Sequence, residues 1–132
     1  MAVTATPIFV QTPKTAIGSL ATANTNRDGS GTIATIYTAG SNGSRLDHVD
    51  IVSYGTVTAG VIRLYVHDGS TAFLWKEILV TATTPSTTVA VWSYTLDCSQ
   101  PQNLLVLPTG YSLRASTHNA ENFRVLAVGG DF

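Results

Sequence analysis

The sequence predicts an all-β fold, an antiparallel two-sheet β-sandwich of the jelly-roll type with about eight strands. Three observations predict it. Apolar residues recur with a period of two, and no stretch keeps a period of 3.6 over three turns. Turn dipeptides such as Asn42-Gly43 and Asp68-Gly69 separate these stretches at regular spacing. Threonine is abundant, at 20 of 132 residues, and other strand-favouring residues are well represented.

The length indicates one domain, and the low charge content indicates a surface that other protein partly covers, although a crowded β-sandwich alone could also produce it. A chain of 132 residues has room for one domain with a core of its own. Charged residues make up only 11% of it, against about 25% in typical domains, and the net charge is −1. No basic run predicts nucleic-acid binding, and no signal peptide or membrane-spanning segment is expected. We predict a single sandwich domain over residues 14–132, preceded by an extended N-terminal arm over residues 1–13.

The arm is the first element in the chain. Pro7 and Pro13 favour extended backbone around them. Between them lie three large apolar residues, Ile8, Phe9 and Val10. Two interpretations stay open: the arm adds an edge strand to its own domain, or it lies on a neighbouring subunit by strand addition.

The clearest element is a long hairpin, residues 61–67 and 71–80, closed at Asp68-Gly69. Alternation predicts that one face of its first strand carries Ile62, Leu64 and Val66, and the other Arg63 and His67. In its second strand one predicted face carries Leu74, Lys76, Ile78 and Val80, and the other Phe73, Trp75, Glu77 and Leu79. A lone hairpin is only marginally stable, so further strands must cover it.

Turn-rich loops separate the remaining predicted strands. These are a weak strand at 16–22 and clearer ones at 32–38, 45–54, 87–96, 104–107, 111–117 and 122–128. Within 45–54, His48 and Asp50 face one way, and Val49, Ile51 and Ser53 the other. Residues 129–132 form a short tail, which we expect to leave the domain together with the arm.

The strand pair His48 and Asp50 offers the one metal-binding pattern of note. Residues i and i+2 point the same way on a strand, so both side chains could reach one ion. With His118 they imitate the two-histidine, one-carboxylate set of non-haem iron oxygenases. The simpler interpretation is the polar face of an amphipathic strand, and we favour it. We predict no metal, no cofactor and no enzymatic activity, with His48, Asp50 and His118 as the residues to test.

Three further patterns have structural explanations. Asn24, Asn26 and Asp28 have calcium-loop spacing, but the closing position holds Thr35 instead of glutamate, which indicates a turn. Cys98 lies beside Asp97, which disfavours a reactive thiolate. Four aromatic residues could stack on sugar rings if exposed together, although their strand positions favour the core or an interface. They are Tyr65, Trp75, Trp92 and Tyr94.

Several stretches resemble small virion proteins of tailed bacteriophages. They are residues 61–69 (VIRLYVHDG), 75–78 (WKEI), 107–121 (LPTGYSLRASTHNAE) and 129–132 (GGDF), and the similarity covers most of residues 32–132. In size and all-β character the chain is similar to jelly-roll cement, or decoration, proteins of phage capsids. The resemblance implies a protein made in the bacterial host cytoplasm and found in the virion, on the head surface, where it clamps neighbouring major capsid subunits.

The partners that follow are the major capsid protein and further copies of this chain, as a dimer or trimer. The expected contact residues are Pro7, Ile8, Phe9 and Val10 in the arm and Phe132 in the tail. Two alternatives remain. One is another phage part, either a base for a head or tail fibre or a carbohydrate-binding jelly roll. The other is a small metal-dependent oxygenase.

Overall fold

A computed structural model describes residues 10–132. These residues form nine β-strands and one 3-10 turn, Pro101–Asn103. The strands are β1 (Thr12–Leu20), β2 (Ala34–Thr38), β3 (Ser44–Ser53), β4 (Gly60–His67), β5 (Ala72–Val80), β6 (Ser93–Asp97), β7 (Leu105–Leu107), β8 (Ser112–Thr117) and β9 (Phe123–Asp131). No helix in the described part of the chain is long and apolar enough to cross a membrane.

The strands form two antiparallel sheets, which confirms the predicted sandwich. Sheet A has the order β1-β9-β3-β6, with β7 pairing the other end of β3. Sheet B has the order β2-β8-β4-β5. The pairing is nested: β1 pairs with β9, β2 with β8, β3 with β6 and β7, and β4 with β5. All these pairs are antiparallel, and the jelly-roll topology itself stays a prediction.

The core lies between the sheets and follows the predicted alternation. On β3, Val49 and Ile51 are fully buried, while His48 and Asp50 lie on the outer face. On β4, Ile62 and Leu64 are buried against this layer. Leu113, Ala115, Phe123, Val125 and Ala127 complete the centre from β8 and β9.

The β4–β5 hairpin forms where the sequence predicts it, but Phe73 and Leu74 of β5 lie on the opposite faces from those predicted. The Asp68 carboxylate accepts hydrogen bonds from the backbone N–H of Ser70 and Thr71. Gly69 has φ +99°, in the left-handed region. The register shifts opposite Trp75, because Leu64 pairs with Lys76 and Tyr65 with Leu74. This irregularity breaks the alternation, so Leu74 lies on the outer face and not, as predicted, on the face of Ile78 and Val80.

Three boundaries differ from the sequence prediction. The predicted strand 87–96 forms only as β6, because its partner β3 ends at Ser53, which bonds to the Trp92 carbonyl, and no backbone partner in β3 remains for residues 87–91. Strand β1 begins at Thr12, so Thr12 and Pro13, placed in the arm by the sequence, pair with β9. At the other end, β9 continues through Asp131, between β1 and β3. The expectation that residues 129–132 leave the domain is therefore wrong for these residues.

Candidate functional site

The three candidate metal ligands lie on different sheets. His48 and Asp50 are on the outer face of β3, whereas His118 follows β8 in sheet B. The Asp50 carboxylate accepts hydrogen bonds from Arg124 Nη2 and Thr95 Oγ1, both at 2.9 Å. His118 Nδ1 lies 3.2 Å from a guanidinium nitrogen of Arg63. Among residues 10–132, no group of three or more histidine, cysteine or acidic side chains could hold a metal. The structure does not bring the three candidate residues together at one site.

The predicted contact residues fall partly outside the described chain. Pro7, Ile8 and Phe9 lie outside it. Val10 is half-buried, and its side chain packs so closely on Gly130 that a Cβ there would overlap it. Phe132 is half-buried as well, and its backbone N–H donates to the Gly43 carbonyl at 3.1 Å. The start of the described chain and its end therefore lie side by side on sheet A.

A polar cluster around Asp131 fixes this end of sheet A. Its carboxylate accepts hydrogen bonds from Ser44 Oγ at 2.5 Å and Tyr37 OH at 3.2 Å, with Lys14 Nζ at 3.8 Å. The Ser44 hydrogen bond, and after it the Lys14 charge, lower the pKa of Asp131. Burial raises the pKa of Tyr37 to about 12, so its hydroxyl stays protonated and donates. The cluster ties β1, β2 and β3 to the last strand.

A second polar cluster lies on the outer face of sheet B, under the loop that joins β1 to β2 (the β1–β2 loop, residues 21–33). Its centre is Arg63, whose side chain is 1% exposed. Arg63 donates from Nε to Glu77 Oε2 at 2.9 Å and from Nη1 to the Asn24 carbonyl at 3.0 Å. The exposed Arg27 donates to the same Glu77 oxygen at 2.8 Å. These arginines, first of all Arg27, lower the pKa of Glu77.

The β1–β2 loop is held by its own side chains and by sheet B. Asn24 donates from Nδ2 to the carbonyls of Ser30 and Thr32, which leaves its amide engaged within the loop. Asp28 accepts hydrogen bonds from the Ser30 backbone and hydroxyl. Tyr65 OH donates to the Asn26 carbonyl at 3.0 Å. The calcium-like spacing seen in the sequence therefore builds a turn that covers Arg63 and Tyr65.

The aromatic residues considered for sugar stacking are not exposed together. Tyr65 is buried, and Trp75 and Trp92 pack against the core. Trp92 meets Phe123 edge to face, with ring centroids 5.9 Å apart. Tyr94 alone is exposed. Cys98 is also buried, and burial and then Asp97 raise the pKa of its thiol to about 11, which argues against a nucleophile.

The exposed apolar surface of strand β5 is the feature that sequence reasoning missed. Phe73, Leu74 and Leu79 are 56%, 40% and 71% exposed. Within the described residues β5 pairs with β4 alone, so its other edge presents unpaired backbone groups. Alternation suggested two equivalent faces, and nothing in the sequence showed that β5 is an edge strand. We call this surface the β5 edge.

No protein-family model matches the chain, and no curated protein matches it in sequence.

Proposed function

We propose that this chain is a structural protein of a tailed-phage virion, a cement protein that binds the outside of the head and clamps neighbouring major capsid subunits. The observation that carries the proposal is the β5 edge. An unpaired strand edge with three exposed large apolar side chains is a surface that a soluble domain normally covers or blunts. The low charge content supports the same class of protein, one that lies largely against other protein.

The resemblance of residues 61–69, 75–78, 107–121 and 129–132 to phage virion proteins supplies the partner. A capsid segment that adds a strand to the β5 edge would pair with its free backbone groups. The side chain of Leu79 would then act as an apolar anchor of the interface. Each contact is modest, and many copies on a closed lattice act together against internal pressure. The residues Pro7, Ile8, Phe9 and Val10 remain the predicted second contact, and self-association as a dimer or trimer belongs to the same proposal.

Counting copies in purified particles tests the function. Quantitative mass spectrometry of virions should find this chain at an abundance of the same order as the major capsid protein. Particles assembled with the Leu79→Glu variant should hold about one tenth as many copies of it as parent particles hold, or fewer still. The reason is that a charge buried at a strand interface removes an apolar anchor. Leu104→Glu is the matched control: Leu104 is 52% exposed, far from β5 in sequence, and its variant should keep full copy number.

Other counts would assign the chain elsewhere. A few copies per particle would indicate a neck or fibre component. Absence from virions would overturn the virion proposal. Equal loss with Leu79→Glu and Leu104→Glu would show that the β5 edge is not the contact.

Deleting residues 2–9 tests the arm separately from the fold. We expect weaker binding to particles with an unchanged thermal midpoint, because strand β1 and the Val10–Gly130 contact remain. Extending the deletion to residue 12 removes that contact and the Thr12–Asp131 pair, and should also lower the midpoint. Binding is measured by co-sedimentation with particles that lack this chain. Full binding after deletion of residues 2–9 would remove the arm from the interface.

A further inference from the structure

A groove of about 310 Å³ lies on the outer face of sheet B, away from the chain ends, and its lining reaches Ala72, the first residue of β5. Residues 28–31 of the β1–β2 loop form one wall, and residues 70–72 at the tip of the β4–β5 hairpin form the other. Its floor includes Arg114 on β8 and His67 on β4. Its size is at the lower end of small-molecule sites, which span about 300–1,000 Å³.

Arg114 is a cation without a carboxylate partner. Arg27, Arg63 and Arg124 each form an ion pair, whereas Arg114 forms none with residues 10–132. Residues 1–9 contain no acidic side chain that could supply one. Within the described chain its one hydrogen bond runs from Nε to Ser112 Oγ at 3.1 Å. Both terminal nitrogens of the guanidinium are therefore available, and this planar group binds carboxylates with paired hydrogen bonds.

His67 adds a second donor to the groove. Its Nδ1 accepts a hydrogen bond from the Gly69 backbone N–H at 3.0 Å. An accepting Nδ1 places the proton of the neutral ring on Nε2, so Nε2–H remains for a ligand. The groove thus combines a guanidinium and an imidazole N–H.

The two walls of the groove meet at Gly29 and Ala72. Gly29 has φ +87° and is packed so that a Cβ would lie 2.6 Å from the Ala72 carbonyl oxygen. Asp28, the acidic residue of the lining, is engaged by Ser30 through backbone and hydroxyl hydrogen bonds. The Gly29–Ala72 contact and the Asp28–Ser30 turn therefore hold one wall against the other. Ser70 and Thr71 line the opposite wall and can bond to hydroxyl groups.

We propose that this groove binds a small carboxylic acid that carries neighbouring hydroxyl groups, of the uronic-acid class. The carboxylate pairs with Arg114, His67 donates to it or to an adjacent hydroxyl, and the Ser70–Thr71 wall binds the remaining hydroxyls. The site stands whether or not the chain is a cement protein, since Arg114, His67 and the Ser70–Thr71 wall belong neither to the exposed side chains of the β5 edge nor to the arm.

The test is a titration of the ¹⁵N-labelled full chain with D-glucuronate, followed by NMR. Saturable shifts are expected at the Arg114 side chain and at the backbone amides of Gly29 and Ser70. D-glucose and acetate should each bind about tenfold more weakly, because each offers only half of the ligand's groups. Arg114→Gln should abolish saturable binding. Arg114→Lys should lower the affinity, because lysine keeps the charge but lacks the planar guanidinium that forms paired hydrogen bonds.

Arg45→Gln is the matched control. Arg45 is exposed on β3 and likewise forms no ion pair with a described residue, and its variant should bind D-glucuronate as the parent chain does. Unchanged dispersion of the remaining amide signals shows that each variant is folded. The proposal is overturned by any of three results: no saturation with D-glucuronate, saturation that survives Arg114→Gln in a folded chain, or acetate binding as tightly as D-glucuronate.

Discussion

Replacing Arg63 with methionine is expected to lower the free energy of unfolding by about 3 kcal/mol. The guanidinium is buried under the β1–β2 loop and bonds to Glu77, to the Asn24 carbonyl and to His118. Methionine keeps much of the aliphatic packing and removes all three bonds. The Asn24 carbonyl then loses its partner in a buried site, which costs more than the bond itself contributes, while the part-buried His118 ring loses a weaker contact.

The estimate is at the lower end for a broken buried pair, because Glu77 is 32% exposed at its side chain and keeps Arg27. Urea unfolding of the parent and the variant measures the difference, with an unchanged slope indicating the same two states. The free energy of unfolding of Arg63→Lys should lie between those of the parent and Arg63→Met. Lysine keeps the charge but cannot bond to all three partners in the guanidinium's geometry.

Arg27→Gln is the control that separates burial from charge. Arg27 bonds to the same Glu77 oxygen, but its side chain is 65% exposed. Exposed ion pairs contribute little, since water and salt screen them and two long side chains must be ordered. The change should therefore be much smaller than that for Arg63→Met. If Arg63→Met lowers the free energy of unfolding no more than Arg27→Gln does, Arg63 is not the centre of this cluster.

This cluster also marks the limit of what the sequence could predict. Alternation on β4 placed Arg63 opposite Ile62 and Leu64, which is correct, and such a position usually faces solvent. Its burial depends on partners 39 and 55 residues away in the chain, Asn24 and His118. The β1–β2 loop brings them there, and a polar loop sequence does not tell which face of a sheet it will cross.

The same reasoning explains the other outcomes. Period-two patterning predicted β3 and the Asp68-Gly69 hairpin because both depend on neighbours in sequence. The shift opposite Trp75 and the short β6 depend on the partner strand, which no local pattern specifies. The groove could not be predicted from the sequence either. Arg114 and His67 share one site only because of the register between β4 and β8 and the position of the β1–β2 loop.

The end of the chain gives the second large effect: Gly129→Ala is expected to destabilise the fold by about 3 kcal/mol. Gly129 lies in β9 between Lys14 of β1 and Leu46 of β3. A Cβ at this position would overlap the Arg45 carbonyl oxygen and lie 2.9 Å from Leu46 Cα. Both are backbone atoms of a central strand, so they cannot swing away as the end of a side chain would.

Gly55→Ala provides the comparison, because a Cβ at Gly55 meets nothing within 4 Å and its φ is not left-handed. It should change the free energy of unfolding by no more than about 0.5 kcal/mol, the range of surface substitutions. Thermal and urea unfolding of both variants decide between two descriptions of residues 129–132. If only Gly129→Ala strongly lowers the free energy of unfolding, residues 129–132 belong to sheet A, where the close approach of β3 requires glycine. Equal stability of the two variants would instead indicate that residues 129–132 form the free tail that the sequence predicted. Phe132 would then be available to a partner.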